Sequence, residues 1–190
     1  PAPAAQAPVL PADFAERPGS VPRLERVEPS MEEEHTRPAA ALFHADLRDV
    51  LDFGSAIHEL FALVTWSGEA DPDALIAAWR PGGPYTERVR RDAAVQFRAA
   101  LAAPELRAAL ARPRGDAVLW RERRFEIVRG RRWISGAFDR VVLERDASGA
   151  PQRATILDFK SDRIPAGPGL QKAVRRYAPQ LRDYREALAA

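Results

Sequence analysis

The 190 residues contain no cysteine. That absence excludes disulfides, thiolate zinc sites and iron–sulfur clusters, so a bound metal must sit on oxygen or histidine. No apolar run is long enough to cross a membrane as a helix. The first residues show no basic start followed by an apolar block, the pattern of a secretory signal. Charge of one sign is not in excess either: net charge is +2, so binding to a polyanion would depend on local clusters. There is no Gly-x-x-x-x-Gly-Lys-Ser/Thr loop, so an ATP-driven motor is not expected within these residues. Length and the 46 % apolar and 29 % charged content suit a soluble globular domain with a core of its own, and a cytoplasmic setting is expected. The chain starts at Pro1 and stops inside a helical pattern at Ala190, as expected of a segment from a longer protein.

Residues 1–40 hold eight of the 17 prolines. Such a stretch forms few regular ladders and buries little apolar surface, and is read as a linker or arm. Residues 41–190 are read as one domain. Leu42, Phe43 and Leu47 are a short lead-in, and from Phe53 the recurrence of Ile57, Leu60, Phe61 and Val64 predicts a helix. Asp71 or Asp73 is placed to cap a helix through Ala78. Val89, Ala93, Phe97 and Leu101 predict a helix over 85–102, and 104–111 a shorter one. β-branched and aromatic residues then alternate with polar ones, and Gly-containing turns at 129–132 and 146–152 divide them into an antiparallel meander over 118–161. A last helix is expected from about Leu170 onward. The fold class is α/β, a small mixed sheet with a central antiparallel meander flanked by helices.

The stretch "ATILDFKSDRI" puts Asp158 and Lys160 two positions apart in an otherwise apolar strand. Residues two apart in a strand point the same way, so the acid and the base project together while Phe159 faces the other side. Asp139, on the neighbouring strand, can lie opposite Asp158. Paired carboxylates repel unless protonated or bridged by a cation, and Mg²⁺ or Mn²⁺ suits such a pair. Lys160 beside the ion can orient or deprotonate a water, or neutralise charge on a phosphate. Gly54 and His58 share a helix face four residues apart, so the glycine lets another segment or nucleic acid approach the imidazole. Gln180 and Tyr184 also lie one turn apart. His35 and His44 have no such setting and are read as structural or surface residues.

The motifs "GSAIHELF", "RERRFE", "ISGAFDRVVLE", "ILDFKSD" and "YAPQLRDYREAL" occur in one order and spacing. In this the chain resembles RecB/AddA-type nuclease domains of the PD-(D/E)xK superfamily, found at the C-terminal end of bacterial UvrD-like helicase–nucleases. The resemblance implies a restriction-endonuclease-like core and a metal-dependent deoxyribonuclease, an exonuclease ahead of an endonuclease, acting in double-strand-break repair and recombination. By the same resemblance His58, Asp139, Asp158 and the Phe159 backbone carbonyl would hold Mg²⁺ or Mn²⁺. Lys160 would be catalytic with Asp139 and Asp158. Gln180 and Tyr184 would contact DNA or buttress the site, and Glu122, Gly54 and Arg140 would support it. The implied partners are single-stranded DNA or DNA ends, and a helicase on the parent chain or a partner subunit.

Plainer readings stand beside these. Asp158 with Lys160, or Asp139 with Arg140, can be ion pairs and nothing more. Glu122 can be a partner for Arg123, Arg124 or Arg140. The domain can also be a catalytically silent relative that binds DNA or docks a subunit. The arginines at 121, 123, 124, 129, 131 and 132, extended by Arg175 and Arg176, can form a nonspecific DNA track. Trp66, Trp79, Trp120 and Trp133 are expected in packing rather than as stacking platforms.

Overall fold

The computed structural model describes residues 24–29, 45–162, 164 and 167–190. His35, His44, Leu42 and Phe43 lie outside them. Among the described residues no helix is long and apolar enough to cross a membrane.

The elements run β1 (Glu25–Val27), α1 (Ala45–Leu63), α2 (Pro72–Ala78), α3 (Glu87–Ala102), α4 (Pro104–Ala109), β2 (Ala117–Arg129), β3 (Arg132–Arg145), β4 (Pro151–Leu157) and α5 (Pro168–Leu188). Helix α1 begins well before Phe53. Polar contacts are made there: Arg48 pairs with Asp52 one turn on, and Asp49 accepts from Arg88 of α3. Asp71, rather than Asp73, caps α2, its carboxylate accepting from the N–H groups of Asp73 and Ala74. The apolar stripe of α1 packs on α3 to form one core, from Ile57, Leu60 and Phe61 to Val89, Phe97 and Leu101. A second core joins Phe138 and Val141 of the sheet to Tyr184 of α5.

Strand β3 is the centre of the sheet. It pairs along its length with β2, and on its other edge with β1 at residues 132–134 and β4 at 140–145. β1 is parallel and the rest antiparallel, so the sheet is mixed. β1 lies within the segment read as an arm, a departure from that expectation at three residues. Among the described residues the second edge of β3 is thus unpaired between Ser135 and Asp139, and the site is built beside this gap.

The meander also ends earlier than expected. β4 stops at Leu157, so Asp158, Phe159 and Lys160 follow the strand rather than belong to it. The physical reason is a change of partner: the Phe159 N–H donates to the Asp139 side chain (2.7 Å), not to a main-chain carbonyl.

Arg140, expected to support the site or to pair with Asp139 or Glu122, makes neither ion pair and supports the site indirectly, by holding the end of the helix that carries His58. Its side chain is 1 % exposed and donates to the Val64 and Thr65 carbonyls (2.8 and 2.6 Å) just past α1, with the guanidinium over Trp66. Arg121, its partner across β2 and β3, donates to the Ala62 and Leu63 carbonyls (2.8 and 3.2 Å). Two cations therefore satisfy the open carbonyl end of α1, where the helix dipole favours positive charge. Burial lowers the Arg140 pKa to about 10, with the Arg121 charge adding to the effect, and the group remains cationic at neutral pH. Trp66 and Trp79 are buried, while Trp120 and Trp133 are half-buried under Arg123 and Arg26. Arg121 and Arg132 have structural partners, the latter Asp183, so the arginine run is in part a set of braces rather than a DNA track.

Replacing Arg140 with Leu leaves two carbonyls without their donors. Urea unfolding is expected to show a loss of about 2–4 kcal/mol. A loss below about 0.5 kcal/mol would mean the carbonyls find other partners.

Candidate metal centre

Three carboxylates line up across the sheet. In the β2–β3 register Arg121 faces Arg140 and Arg123 faces Phe138, which sets Glu122 opposite Asp139. The last pair of β3 and β4 is Arg140 with Leu157, so one step further Asp139 comes opposite Asp158. Asp139 lies in the interior of β3, and the neighbouring β4 ends beside it. Helix α1 brings His58 over this row, its Nδ1 3.4 Å from Asp139 Oδ1.

Asp139 is 8 % exposed and has both oxygens engaged, one by His58 and one by the Phe159 N–H. Ligand atoms of His58, Glu122 and Asp139 lie within 4.8 Å of one another. Asp158 stands beside this group and faces two other residues. Its Oδ2 is 2.9 Å from Lys160 Nζ, and its Oδ1 accepts from Gln180 Nε2 (3.3 Å). Gln180 also accepts from Lys160 Nζ (2.8 Å) and donates to the Tyr184 hydroxyl (3.0 Å). One amide therefore fixes the acid, the ammonium and the phenol together. Gln180 and Tyr184 are buried, 7 % and 2 % exposed, which suits buttressing and not direct contact with DNA. Tyr184 packs edge-on to Phe125 and Phe138.

Phe159 sends its ring the other way, stacked on Phe61 with centroids 4.6 Å apart, as the alternation predicts. Gly54 admits a neighbour, and the neighbour is the chain itself: a Cβ there would meet Ser161 Oγ at 3.1 Å. Next to Lys160, Tyr177 carries the ammonium over its ring at 4.6 Å and binds Asp162 through its hydroxyl.

Sequence reasoning undervalued Glu122 as a partner for arginines. The signal was its position opposite Asp139, which only the register reveals. Its backbone is left-handed, φ 49°, a conformation that costs a non-glycine residue about 1–2 kcal/mol. The pairing resumes in unchanged register beyond it, so no residue is inserted and the cost is local.

The electrostatics follow from crowding. Burial opposes charge on His58, but Asp139, Glu122 and Asp158 together outweigh it, and its pKa is raised. Burial raises the Asp158 pKa, Asp139 adds to this, and Lys160 partly offsets it. Desolvation of the Glu122 carboxyl and the nearby Asp139 raise its pKa too, although the residue as a whole is exposed. An imidazole and carboxylates that hold one another's protons are a donor set for a hard divalent cation, and they fit Mg²⁺ or Mn²⁺.

His58 and Glu122 also form one wall of a cleft of about 680 Å³ between α1 and the end of α2. Glu59, behind it, accepts from Trp79 Nε1 (2.8 Å) and the Tyr85 hydroxyl (2.6 Å).

No curated protein matches the chain. A family model described as the PD-(D/E)XK nuclease superfamily matches residues 31–190.

Two measurements check the centre. Protons compete with a metal for groups whose pKa values are raised, so Mn²⁺ affinity should rise with pH. On acidification the fall should begin as His58 is protonated, above its ordinary pKa of about 6.5, and continue as Asp158 and Glu122 are protonated above the ordinary carboxyl range. Calorimetry in buffers of differing ionisation enthalpy should show proton release; pH-independent affinity would contradict the assignment. Separately, Glu122→Gly should stabilise the metal-free fold by about 1 kcal/mol through relief of the left-handed strain. The same change should weaken Mn²⁺ binding at least about tenfold. Unaltered binding would remove Glu122 from the centre.

Proposed function

Because the chain belongs to the PD-(D/E)XK nuclease superfamily, we propose that it is a Mg²⁺- or Mn²⁺-dependent deoxyribonuclease that hydrolyses phosphodiester bonds. The observation that carries this reading is the convergence of His58, Glu122 and Asp139 with the Asp158–Lys160 pair alongside. His58, Glu122 and Asp139 would hold the ion, with Asp158 and the Phe159 carbonyl as further ligands. When bound, the ion supplies an activated water and offsets charge on the phosphate.

The remaining work belongs to the chain. Lys160 has three N–H donors, and Asp158 and Gln180 take two of them. The ammonium also lies over the Tyr177 ring, and its third N–H meets no oxygen or nitrogen among the described residues, so it can be given to a water or a phosphoryl oxygen. Asp158 and Gln180 restrict the ammonium to one orientation before substrate arrives, which lowers the reorganisation needed as negative charge builds on phosphorus-bound oxygens. Tyr184 holds the Gln180 amide from behind, so the network is braced against the second core.

The nuclease reading extends to exonucleolytic action on single-stranded DNA or DNA ends in double-strand-break repair and recombination. The motor would be a helicase on the same parent chain or on a partner subunit, and the setting the cytoplasm. What supports this extension is the order and spacing of the five motifs.

Asp158→Ala and Lys160→Ala should each reduce Mg²⁺- or Mn²⁺-dependent cutting of labelled oligonucleotides by at least about 100-fold with the fold retained by circular dichroism. EDTA should abolish cutting by the unaltered chain. Equal cutting by Asp158→Ala and the unaltered chain would sink the assignment.

A further inference from the structure

The cleft beside the metal centre is larger than catalysis on a phosphate requires. Its walls are Ala62 and Leu63 of α1, Ala78 at the end of α2, the Trp79 edge and Arg80, with His58 and Glu122 where it meets the centre. Two carboxylates line it, Glu122 and Glu59, the latter already accepting from Trp79, Gly82 and Tyr85, against the one guanidinium of Arg80. An anion as occupant would meet those carboxylates, so the cleft does not suit a second phosphate. It suits a planar, uncharged group with an apolar face and a polar edge. Arg80 adds a flat surface of fixed orientation, because its Nη1 donates to the Ala77 and Trp79 carbonyls (3.1 and 3.2 Å). Guanidinium planes and apolar walls are surfaces on which unpaired bases stack.

We propose that this cleft receives one unpaired nucleobase of the nucleotide next to the scissile phosphate. The inference rests on the nuclease reading above and adds how the site selects its substrate. His58 and Glu122 belong both to the cleft and to the metal centre, so a base in the cleft leaves its phosphate at the ligand cluster. A paired base cannot enter without leaving its stack, at a cost of a few kcal/mol. Single strands and frayed ends are then favoured because of the cleft, with no reading of base edges in a groove. Volume in the range of small-molecule pockets leaves room for any of the four bases, so little sequence preference is expected.

The test uses the whole chain and two probes. The first is a single-stranded oligonucleotide with an abasic residue stepped past the cut site on both sides. At one flanking position kcat/KM should fall at least about tenfold, the scale of a lost base stack. The second carries 2-aminopurine at that position, followed by fluorescence with Ca²⁺ and again with EDTA. Binding should change its emission. Ala78→Trp, at an exposed position, narrows the cleft; it should bring the intact-to-abasic ratio toward one and erase the fluorescence change. Unfolding of that variant is checked by circular dichroism, and the abasic scan on the unaltered chain decides independently of it. Cutting with no abasic effect and no fluorescence change overturns the base cleft and leaves the nuclease reading standing. A fluorescence change erased by Ala78→Trp, in a chain that never cuts, supports the cleft and overturns the nuclease reading.

Discussion

The site depends on a main-chain donor placed on a carboxylate. The Phe159 N–H, which would have continued the β4 ladder, goes to Asp139 instead. A hydrogen bond to an ionised acceptor is stronger than the neutral one it replaces. It ends the strand, holds Asp139 against the departing chain, and leaves residues 158–161 to follow a path no ladder would allow. On that path Asp158 and Lys160 reach Gln180, Ser161 settles against Gly54, and the Phe159 ring stacks on Phe61. Backbone and ring of one residue are thus fastened to different layers, and the acid and the ammonium on either side are carried between them.

A second constraint sets the position of His58. Helix α1 is fixed at its carbonyl end by Arg121 and Arg140, which project from neighbouring positions of β2 and β3. The acids of the centre, Glu122 and Asp139, are the adjacent residues on those same strands. Anchoring the helix and placing the two acids are therefore properties of one short piece of sheet. A shift of one residue in register would exchange the braces for the acids. Locally strained backbone at Glu122 is consistent with a carboxylate held where the sheet alone would not put it.

Much of this was readable before folding was considered. Helical spacing marked Ile57, Leu60 and Phe61, and alternation with glycine turns marked three long strands in a meander. Alternation also predicted that Asp158 and Lys160 would lie together with Phe159 opposed. The stripe from Phe53 marks only the part of α1 that packs into the first core, and among the described residues the turns before it contribute no buried core residue. The β1 strand was missed because three residues in a proline-rich stretch have no period of their own. Arg140 was misread since a guanidinium beside an acid in sequence suggests an ion pair, while adjacent strand residues point to opposite sides. Gln180 and Tyr184 were legible as a pair, but their burial was not, because it depends on Phe125 and Phe138 closing over them.

By itself the sequence determined which chemical groups were available and at what local spacing: no thiols, one imidazole on a helix face, an acid and an amine two residues apart. Local spacing follows from helix and strand geometry, which any stretch of chain carries with it. Tertiary structure decided which acids come together, because Glu122 and Asp139 are distant along the chain and meet only through strand register, with Asp158 beside them. It also decided where α1 stops against the sheet and what space remains beside it. Those are outcomes of packing between layers, and no short run of residues encodes them.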